Sequence, residues 1–316
     1  MMNNRRSFIT GIKSLSLSQK EKNFLNKYKP WGVILFSRNI KSLIQLKMLT
    51  EEIKKNLKDK NYPILIDQEG GRVDRLKSLF NSETLTSELF GNLYLKDKKK
   101  FNTYYKIFID KTSYMLKLIG ININTVPVLD LREKGSSSII GNRSFSNNPK
   151  IASRIGDFCI KNFHKNNIGT VIKHIPGHGL AKVDSHKLTP TVKTKYKQLL
   201  KKDFAAFKNK KSFFAMTAHI IFKDIDNINT ATHSKKIIHL IRKKIGFNNI
   251  LMSDDISMKS LKYSIKENTI KAFSAGCNLV LHCNGDYKEM LVVAKNSPLL
   301  SKFLIKKTSQ FYKILS

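Results

Sequence analysis

The sequence predicts a single parallel (β/α)8 barrel, and two observations support this fold class. Eight short apolar runs alternate with stretches of helical spacing along the 316 residues, and polar, titratable side chains follow four of these runs. Strands that are apolar on both faces are typical of a parallel sheet covered by helices. The length alone would also allow two ordinary domains, and a doubly wound open sheet would show the same alternation. The polar groups at the strand ends favour the barrel, because the working residues of barrel enzymes lie at one mouth.

The predicted strands are rich in β-branched and aromatic residues and are followed by polar loops. Each run is too apolar to have one face in water, as expected for strands between a filled barrel interior and an outer layer of helices. The eight runs cover residues 8–12, 31–36, 62–67, 121–126, 170–174, 213–217, 250–254 and 278–282.

Between these strands, apolar residues recur at spacings of three and four, which places them on one helix face. Leu46, Leu49 and Ile53 are an example. After the eighth strand, residues 287–295 and 300–314 are expected to pack as helices on the outside of the barrel, with no room for a second catalytic domain. Further helices are predicted over 101–118, 151–163, 196–207 and 237–245.

The composition is ordinary for a globular protein except for its formal net charge of +35. Lysines supply most of this charge and are scattered along the predicted helices. A nucleic-acid surface would gather them on one element with interleaved aromatic residues, so we interpret the charge as a solvated coat. The three cysteines lack a C-x-x-C spacing and are expected as free thiols. No apolar run is long enough for a membrane span, so neither nucleic acid nor membrane is a predicted partner.

Residues 173–190 concentrate the chemistry of the chain. The stretch reads Lys-His-Ile-Pro-Gly-His-Gly-Leu-Ala-Lys-Val-Asp-Ser-His-Lys-Leu-Thr-Pro and follows an apolar run. Asp184 lies two residues before His186. A carboxylate within reach of an imidazole fixes its tautomer and raises its basicity, which suits a general acid/base. A lone Asp-x-His more often belongs to a polar surface loop, but the flanking Lys-His-x-Pro-Gly-His-Gly favours a catalytic pair.

Asp254 ends the seventh predicted strand, within Met-Ser-Asp-Asp-Ile-Ser-Met at 252–258. A carboxylate in this position could attack an anomeric carbon and form a glycosyl-enzyme. Adjacent acids also occur at helix starts, where they interact favourably with the helix dipole. Spacing alone therefore leaves a capping role open. We expect Asp255 to fill such a structural role and Asp254 to be the nucleophile.

Five further residues are candidates for holding a substrate. Asp67 and Arg75 stand at the two ends of Asp-Gln-Glu-Gly-Gly-Arg-Val-Asp-Arg, where the third predicted strand ends. Asp can accept from two sugar hydroxyls, and Arg offers a planar fork of donors; an ion-paired loop is the alternative. Arg143 follows the fourth strand, and Lys173 and His174 end the fifth, so all three could reach the same pocket.

The other histidines carry weaker signals. His178 is expected to brace the loop, and His219 could be either a functional residue or a strand-end histidine whose hydrogen bonds are satisfied internally. No H-E-x-x-H or comparable spacing is present, so no metal site is predicted.

These motifs resemble those of the family 3 glycoside hydrolases of the single-domain β-N-acetylglucosaminidase type. The resemblance runs from Trp-Gly-Val-Ile-Leu-Phe-Ser-Arg-Asn at 31–39 to Leu-His-Cys-Asn-Gly at 281–285. It implies a (β/α)8 barrel without a cofactor, in which Asp254 is the nucleophile and His186, partnered by Asp184, is the acid/base. The residues that would bind the terminal sugar are Asp67, Arg75, Arg143, Lys173 and His174.

The resemblance further implies a cytoplasmic, retaining exo-enzyme of peptidoglycan recycling. It would release N-acetylglucosamine from GlcNAc-anhydroMurNAc fragments. We expect a monomer that acts on this small-molecule substrate. Histidine would replace one of the two carboxyls of a retaining glycosidase, and an imidazole with a pKa of about 6.5 can both give and take a proton at neutral pH.

Two alternatives stay open at this stage. A family relative that cleaves β-glucosides would usually take its acid/base from a second domain and would lack the Lys-His-x-Pro-Gly-His-Gly loop. An anion-binding protein would bind nucleic acid in a salt-sensitive way. Agreement with the family is weakest in the first strand, which is followed by Lys13 and Ser14, and over residues 80–84.

Overall fold

Eight parallel strands close into a barrel in the computed structural model, which describes residues 2–133, 139–181 and 188–315. Each barrel strand pairs with its neighbours in the chain, and the first pairs with the eighth to close the ring. This topology confirms the predicted single-domain (β/α)8 fold. In order, the barrel strands are Arg6–Gly11, Pro30–Leu35, Ile64–Ile66, Ile123–Asn124, Gly169–Ile175, Phe214–Thr217, Ile250–Asp255 and Leu279–His282.

The fourth barrel strand is shorter than the predicted run at 121–126. Side-chain amides take over part of the ladder: Asn122 Oδ1 accepts from the backbone N–H of Ile64 at 2.9 Å, and Asn124 Oδ1 accepts from that of Gln68 at 3.0 Å. Pro127 then offers no N–H for a further ladder bond. Local pairing by side chains therefore ends the regular strand early while the barrel stays closed.

Helices surround the barrel, and the sequence marks where most of them begin. Every α-helix except Tyr196–Lys201 has a Ser, Thr, Asp or Asn before its first residue, and the side chain accepts a hydrogen bond from the first turn. No helix in the described ranges is long and apolar enough to cross a membrane. The α-helices are Gln19–Tyr28, Leu43–Asn56, Ser87–Lys96, Lys98–Leu118, Pro149–Lys165, Tyr196–Lys201, Lys235–Leu240, Ile265–Ala275, Tyr287–Asn296 and Lys302–Tyr312.

Two apolar layers follow from the alternation of side chains along each strand. In the third strand, Ile64 and Ile66 face the helices, whereas Leu65 points into the barrel interior. In the seventh strand, Leu251 faces outward and Met252 inward. The strands are buried on both faces, which explains why their sequences are apolar throughout.

The last helix, Lys302–Tyr312, covers the amino-terminal end of the barrel. Trp31 Nε1 donates to Thr308 Oγ1 at 2.8 Å inside the core. The ring of Phe311 is fully buried and packs edge-on against Phe214, with 5.2 Å between centroids. The sequence indicated only a position outside the barrel for this helix. Its location leaves the carboxyl-terminal mouth as the accessible end.

Candidate active site

Lys173 is the centre of a charged cluster at the carboxyl-terminal mouth. It lies near the end of the fifth strand and is 2% exposed. Its Nζ is 3.0 Å from Asp67 Oδ1, 2.6 Å from Glu69 Oε1 and 2.9 Å from Thr125 Oγ1. A buried ammonium needs such partners. The cluster therefore joins loops that follow the third, fourth and fifth strands.

Asp67 is ionised within this cluster. Burial by itself would raise the pKa of the Asp67 carboxyl, but Lys173 and Arg75 hold it well below its ordinary value. Arg75 Nη2 lies 3.2 Å from Asp67 Oδ2, and the guanidinium stacks over the ring of Phe36 at 5.3 Å. Among the described residues, Arg75 Nε has no hydrogen-bond partner although it is buried. An unused donor beside a carboxylate suits a ligand hydroxyl or carbonyl.

Glu69 and Arg143 form a bidentate ion pair beside Lys173. Arg143 Nε and Nη2 each lie 2.8 Å from an oxygen of Glu69. Burial would raise the pKa of Glu69, but Arg143 and then Lys173 lower it to about 2. Arg143 was predicted from the sequence as a sugar-binding residue, whereas Glu69 was not predicted. The structure brings Arg143 to the site, with two of its donors held by this carboxylate.

His174 is oriented by Asp130. His174 Nδ1 lies 2.6 Å from Asp130 Oδ2, and the carboxylate also accepts from the backbone N–H groups of His174 and His178. Burial would raise the pKa of Asp130, but His174 lowers it. An ionised carboxylate can only accept, so Nδ1 carries the proton. Asp130 was missed by the sequence analysis, although it ends the apolar run at 126–129, which is the signal used for Asp67 and Asp254.

Asp254 ends the seventh strand at the same mouth. Its Oδ2 lies 4.0 Å from His174 Nε2, and its Oδ1 accepts from the backbone N–H of Asp255 at 2.7 Å. Burial would raise the pKa of Asp254, but His174 and His219 lower it below the ordinary value. The side chain is 20% exposed. An ionised and accessible carboxylate is what a nucleophile requires.

Asp255 and His219 have internal partners. Asp255 accepts from the backbone N–H and hydroxyl of Ser257. His219 Nδ1 lies 2.7 Å from the hydroxyl of Thr232, and its Nε2 lies 3.0 Å from the carbonyl of Asp255. Both ring nitrogens of His219 are thus satisfied, and burial lowers its pKa. The geometry favours a structural role for His219. Its hydrogen bonds stabilise the strand end that carries Asp254.

Asp184 and His186 lie outside the described residues, so their predicted roles stay predictions. The chain on either side of them is anchored at this mouth. Ala181 donates its backbone N–H to the carbonyl of His178 at 3.1 Å, and Thr189 Oγ1 donates to the carbonyl of Ser260 at 2.7 Å. Within the described ranges, no group of three His, Cys, Asp or Glu side chains is arranged to hold a metal ion.

The comparisons with known proteins agree with this architecture. A family model described as the glycosyl hydrolase family 3 N-terminal domain matches residues 8–309. The β-hexosaminidase of Neisseria meningitidis serogroup A / serotype 4A (strain DSM 15465 / Z2491) is 32% identical over 286 residues, which are 89% of this chain and 78% of the relative.

Two solved structures are also similar to this chain over nearly its whole length. The crystal structure of native NagZ from Neisseria gonorrhoeae is 28% identical, with a TM-score of 0.87, and the match covers 99% of this chain and 90% of that one. The same protein in complex with N-trifluoroacetyl-D-glucosamine also matches with a TM-score of 0.87 and the same identity and coverage. The match of the family model over nearly the whole sequence shows that this chain belongs to glycosyl hydrolase family 3 and is a glycoside hydrolase.

Proposed function

We propose that this chain is a retaining exo-β-N-acetylglucosaminidase that removes terminal N-acetylglucosamine from GlcNAc-anhydroMurNAc fragments in cell-wall recycling. One observation carries the proposal: the ionised Asp254 lies beside His174 and shares a barrel mouth with the Lys173 cluster. The names of the relatives support N-acetylglucosamine as the sugar that is released. The Neisseria meningitidis protein is called a β-hexosaminidase, and the Neisseria gonorrhoeae structure holds an N-acylated glucosamine.

The proposed reaction has two steps. First, a carboxylate oxygen of Asp254 bonds to the anomeric carbon, the bond from that carbon to the leaving oxygen breaks, and His186 gives its proton to that oxygen. Second, His186 takes a proton from water. The water oxygen bonds to the anomeric carbon, and the bond to Asp254 breaks. Asp184 is proposed to hold His186 in the tautomer that both steps need.

The remaining predicted residues are proposed to bind the terminal sugar. Asp67 and Arg75 offer an acceptor and a donor for ring hydroxyls, and His174 Nε2 is directed toward the mouth. Lys173 and Arg143 already contact carboxylates, so we propose that they act on the sugar partly through the charge they place around it. His174 also lies close enough to Asp254 to stabilise its ionised form.

We further propose that residues 1–316 act as one catalytic domain, as a monomer in the cytoplasm, without a cofactor or a metal ion. The single catalytic domain is supported because the polar groups named above for the site, within the described residues, come from loops or strand ends of one barrel.

The test is release of 4-nitrophenol from its β-N-acetylglucosaminide, measured beside the β-glucoside. We expect clear preference for the first substrate, retention of anomeric configuration, and complete loss of turnover in Asp254→Ala. Asp224→Ala is the matched control, because this carboxylate pairs with Lys195 on the surface. Full activity of Asp254→Ala would remove this residue from the mechanism, and preference for the β-glucoside would favour the other branch of the family.

A further inference from the structure

Asp203 is a buried carboxyl group that the reaction above does not use. It begins the short 3₁₀ turn Asp203–Phe207, which Lys202 separates from helix Tyr196–Lys201, and is 2% exposed. Neither of its side-chain oxygens has a hydrogen-bond partner among the described residues. An ionised carboxylate without a partner is very costly to bury, so such a group tends to keep its proton.

The charges around Asp203 do not favour ionisation. Asp130 and Glu133 both act on it electrostatically as anions. Lys202 is its neighbour in the chain, but the ammonium of Lys202 lies 3.1 Å from a carboxylate oxygen of Glu133 instead. Burial, followed by the effect of Asp130, raises the pKa of Asp203 to about 7.

The charged groups on the elements packed against this turn have other partners or are exposed. Four elements contact the turn: helix Tyr196–Lys201, helix Pro149–Lys165, the fifth strand and the segment Ile241–Ile245. The lysines of helix Tyr196–Lys201 are exposed. Lys173 and His174 of the fifth strand pair with Asp67, Glu69 and Asp130. On helix Pro149–Lys165, Asp157 pairs with Lys210 at 2.9 Å. On the segment Ile241–Ile245, Arg242 donates to backbone carbonyls of the segment that follows.

Asp203 lies against the backbone of the loop that leaves the fifth strand. A Cβ atom on Gly177 would come within 2.8 Å of the Asp203 Cβ, and Gly177 has a φ of +147° that other residues rarely adopt. The next residue, His178, donates its backbone N–H to Asp130 at 2.7 Å. Asp203 therefore packs against Gly177, and the next residue, His178, binds the Asp130 carboxylate that orients His174.

We propose that Asp203 is a positioning residue. Its uncharged side chain packs against the backbone at Gly177, next to the His178 N–H that Asp130 accepts, and its ionisation would place a second buried anion near Asp130 and weaken the orientation of His174. The reason is repulsion between two buried carboxylates, because Lys202, the cation that acts on Asp203, pairs with Glu133 instead. The effect on turnover rests on the proposed function, whereas the titration of Asp203 does not.

The activity test compares pH profiles of kcat/KM for wild type and Asp203→Asn, a neutral variant of the same shape. We expect similar values near pH 6, and a variant at least about fivefold more active than wild type near pH 8.5, where most of the Asp203 carboxyl would be ionised. Asp286→Asn is the control, since Asn caps the exposed helix start at that position as well as Asp does. Superimposable profiles, or an inactive but stably folded Asp203→Asn, would overturn the proposal.

The second test needs no substrate. A folded-state pKa of about 7, against an ordinary value of 3.8 for this carboxyl group, means that the folded protein binds more protons than the unfolded chain between these values. Wild type therefore loses stability as pH rises through this window. Asp203→Asn cannot ionise and therefore escapes this loss. We expect the Tm of the variant minus the Tm of wild type to increase between about pH 4 and pH 8. A Tm difference that does not change with pH contradicts a neutral Asp203, even if the protein proves inactive on the glucosaminide.

Discussion

Asp130 holds His174 in a single tautomer. His174 Nδ1 is 2.6 Å from Asp130 Oδ2, and because the lowered pKa of Asp130 keeps this carboxylate ionised, the proton lies on Nδ1. The opposite nitrogen, Nε2, then faces Asp254 at 4.0 Å. Asp130, which touches no reacting atom, is thus linked through His174 to the proposed nucleophile, Asp254. The first prediction follows from this link.

Asp130→Asn should reduce kcat/KM by about 100-fold, the loss expected when a site residue is displaced by about 1 Å. An amide cannot accept all the hydrogen bonds that the carboxylate receives from His174 and His178. Steady-state hydrolysis of the nitrophenyl glucosaminide measures the effect, with Asp286→Asn as control. Activity within a factor of two of wild type would show that the orientation of His174 does not matter.

His186→Ala should release a rapid burst of nitrophenol followed by slow turnover. Nitrophenol is a good leaving group that needs little protonation, so Asp254 can still attack, whereas water is no longer activated for the second step. Rapid-mixing absorbance and the mass of the trapped glycosyl-enzyme measure this outcome. Lys187→Ala, one residue along the chain, serves as control. Unchanged steady-state turnover of His186→Ala would exclude the residue as acid/base.

Glu69→Gln should destabilise the fold by about 3–5 kcal/mol, the usual cost of removing one member of a buried charge pair. The change leaves Arg143 and Lys173 buried with less negative charge around them. Urea unfolding gives the value. The surface pair of Lys77 and Glu83 offers the matched control, and Glu83→Gln should leave the unfolding midpoint unchanged. A midpoint for Glu69→Gln equal to that of wild type would mean that the ion pair has no net effect.

The same carboxylate should make the protein sensitive to acid. The folded-state pKa of Glu69 is lowered from 4.5 to about 2, and those of Asp67 and Asp130 are lowered as well. A lowered pKa stabilises the fold fully above the unfolded-state value, and this stabilisation is lost as pH falls toward the folded-state value. Urea midpoints should therefore fall between about pH 4.5 and pH 2. The midpoints should fall less steeply with decreasing pH in Glu69→Gln. Equal slopes for the variant and wild type would contradict the lowered pKa of Glu69.

Phe311→Ala should cost about 3–5 kcal/mol of stability, since a fully buried ring is removed from the end of the barrel. The kcat/KM of the folded variant should not change, because the ring lies at the end opposite the site. Phe303→Ala, on the same helix but 38% exposed, is the control and should have a much smaller effect. A loss of kcat/KM without a loss of stability would argue against the division of the barrel into a structural end and a catalytic end.

Local patterns in the sequence were sufficient to predict the fold and to predict that several polar side chains lie at one mouth of it. Apolar runs separated by helical spacing predicted the eight strands. A parallel barrel places all carboxyl ends of its strands at one mouth, so the polar residues after those runs had to lie close together. Asp67, Lys173 and Asp254 were proposed as site residues in this way, and the same reasoning applied to Asp130 would have proposed it too.

Only the tertiary structure decided which charges meet and which do not. Asp130 and His174 are 44 residues apart, and Glu69 and Arg143 are 74 apart, so their pairing depends on the register of different strands. That Asp203 has no hydrogen-bond partner in the part of the chain that the structure describes, and that Lys202 contacts Glu133 instead, likewise follows from packing. Periodicity reports which face of an element is buried, but the pKa of a buried group depends on the distances to all its neighbours, and the closed barrel sets those distances.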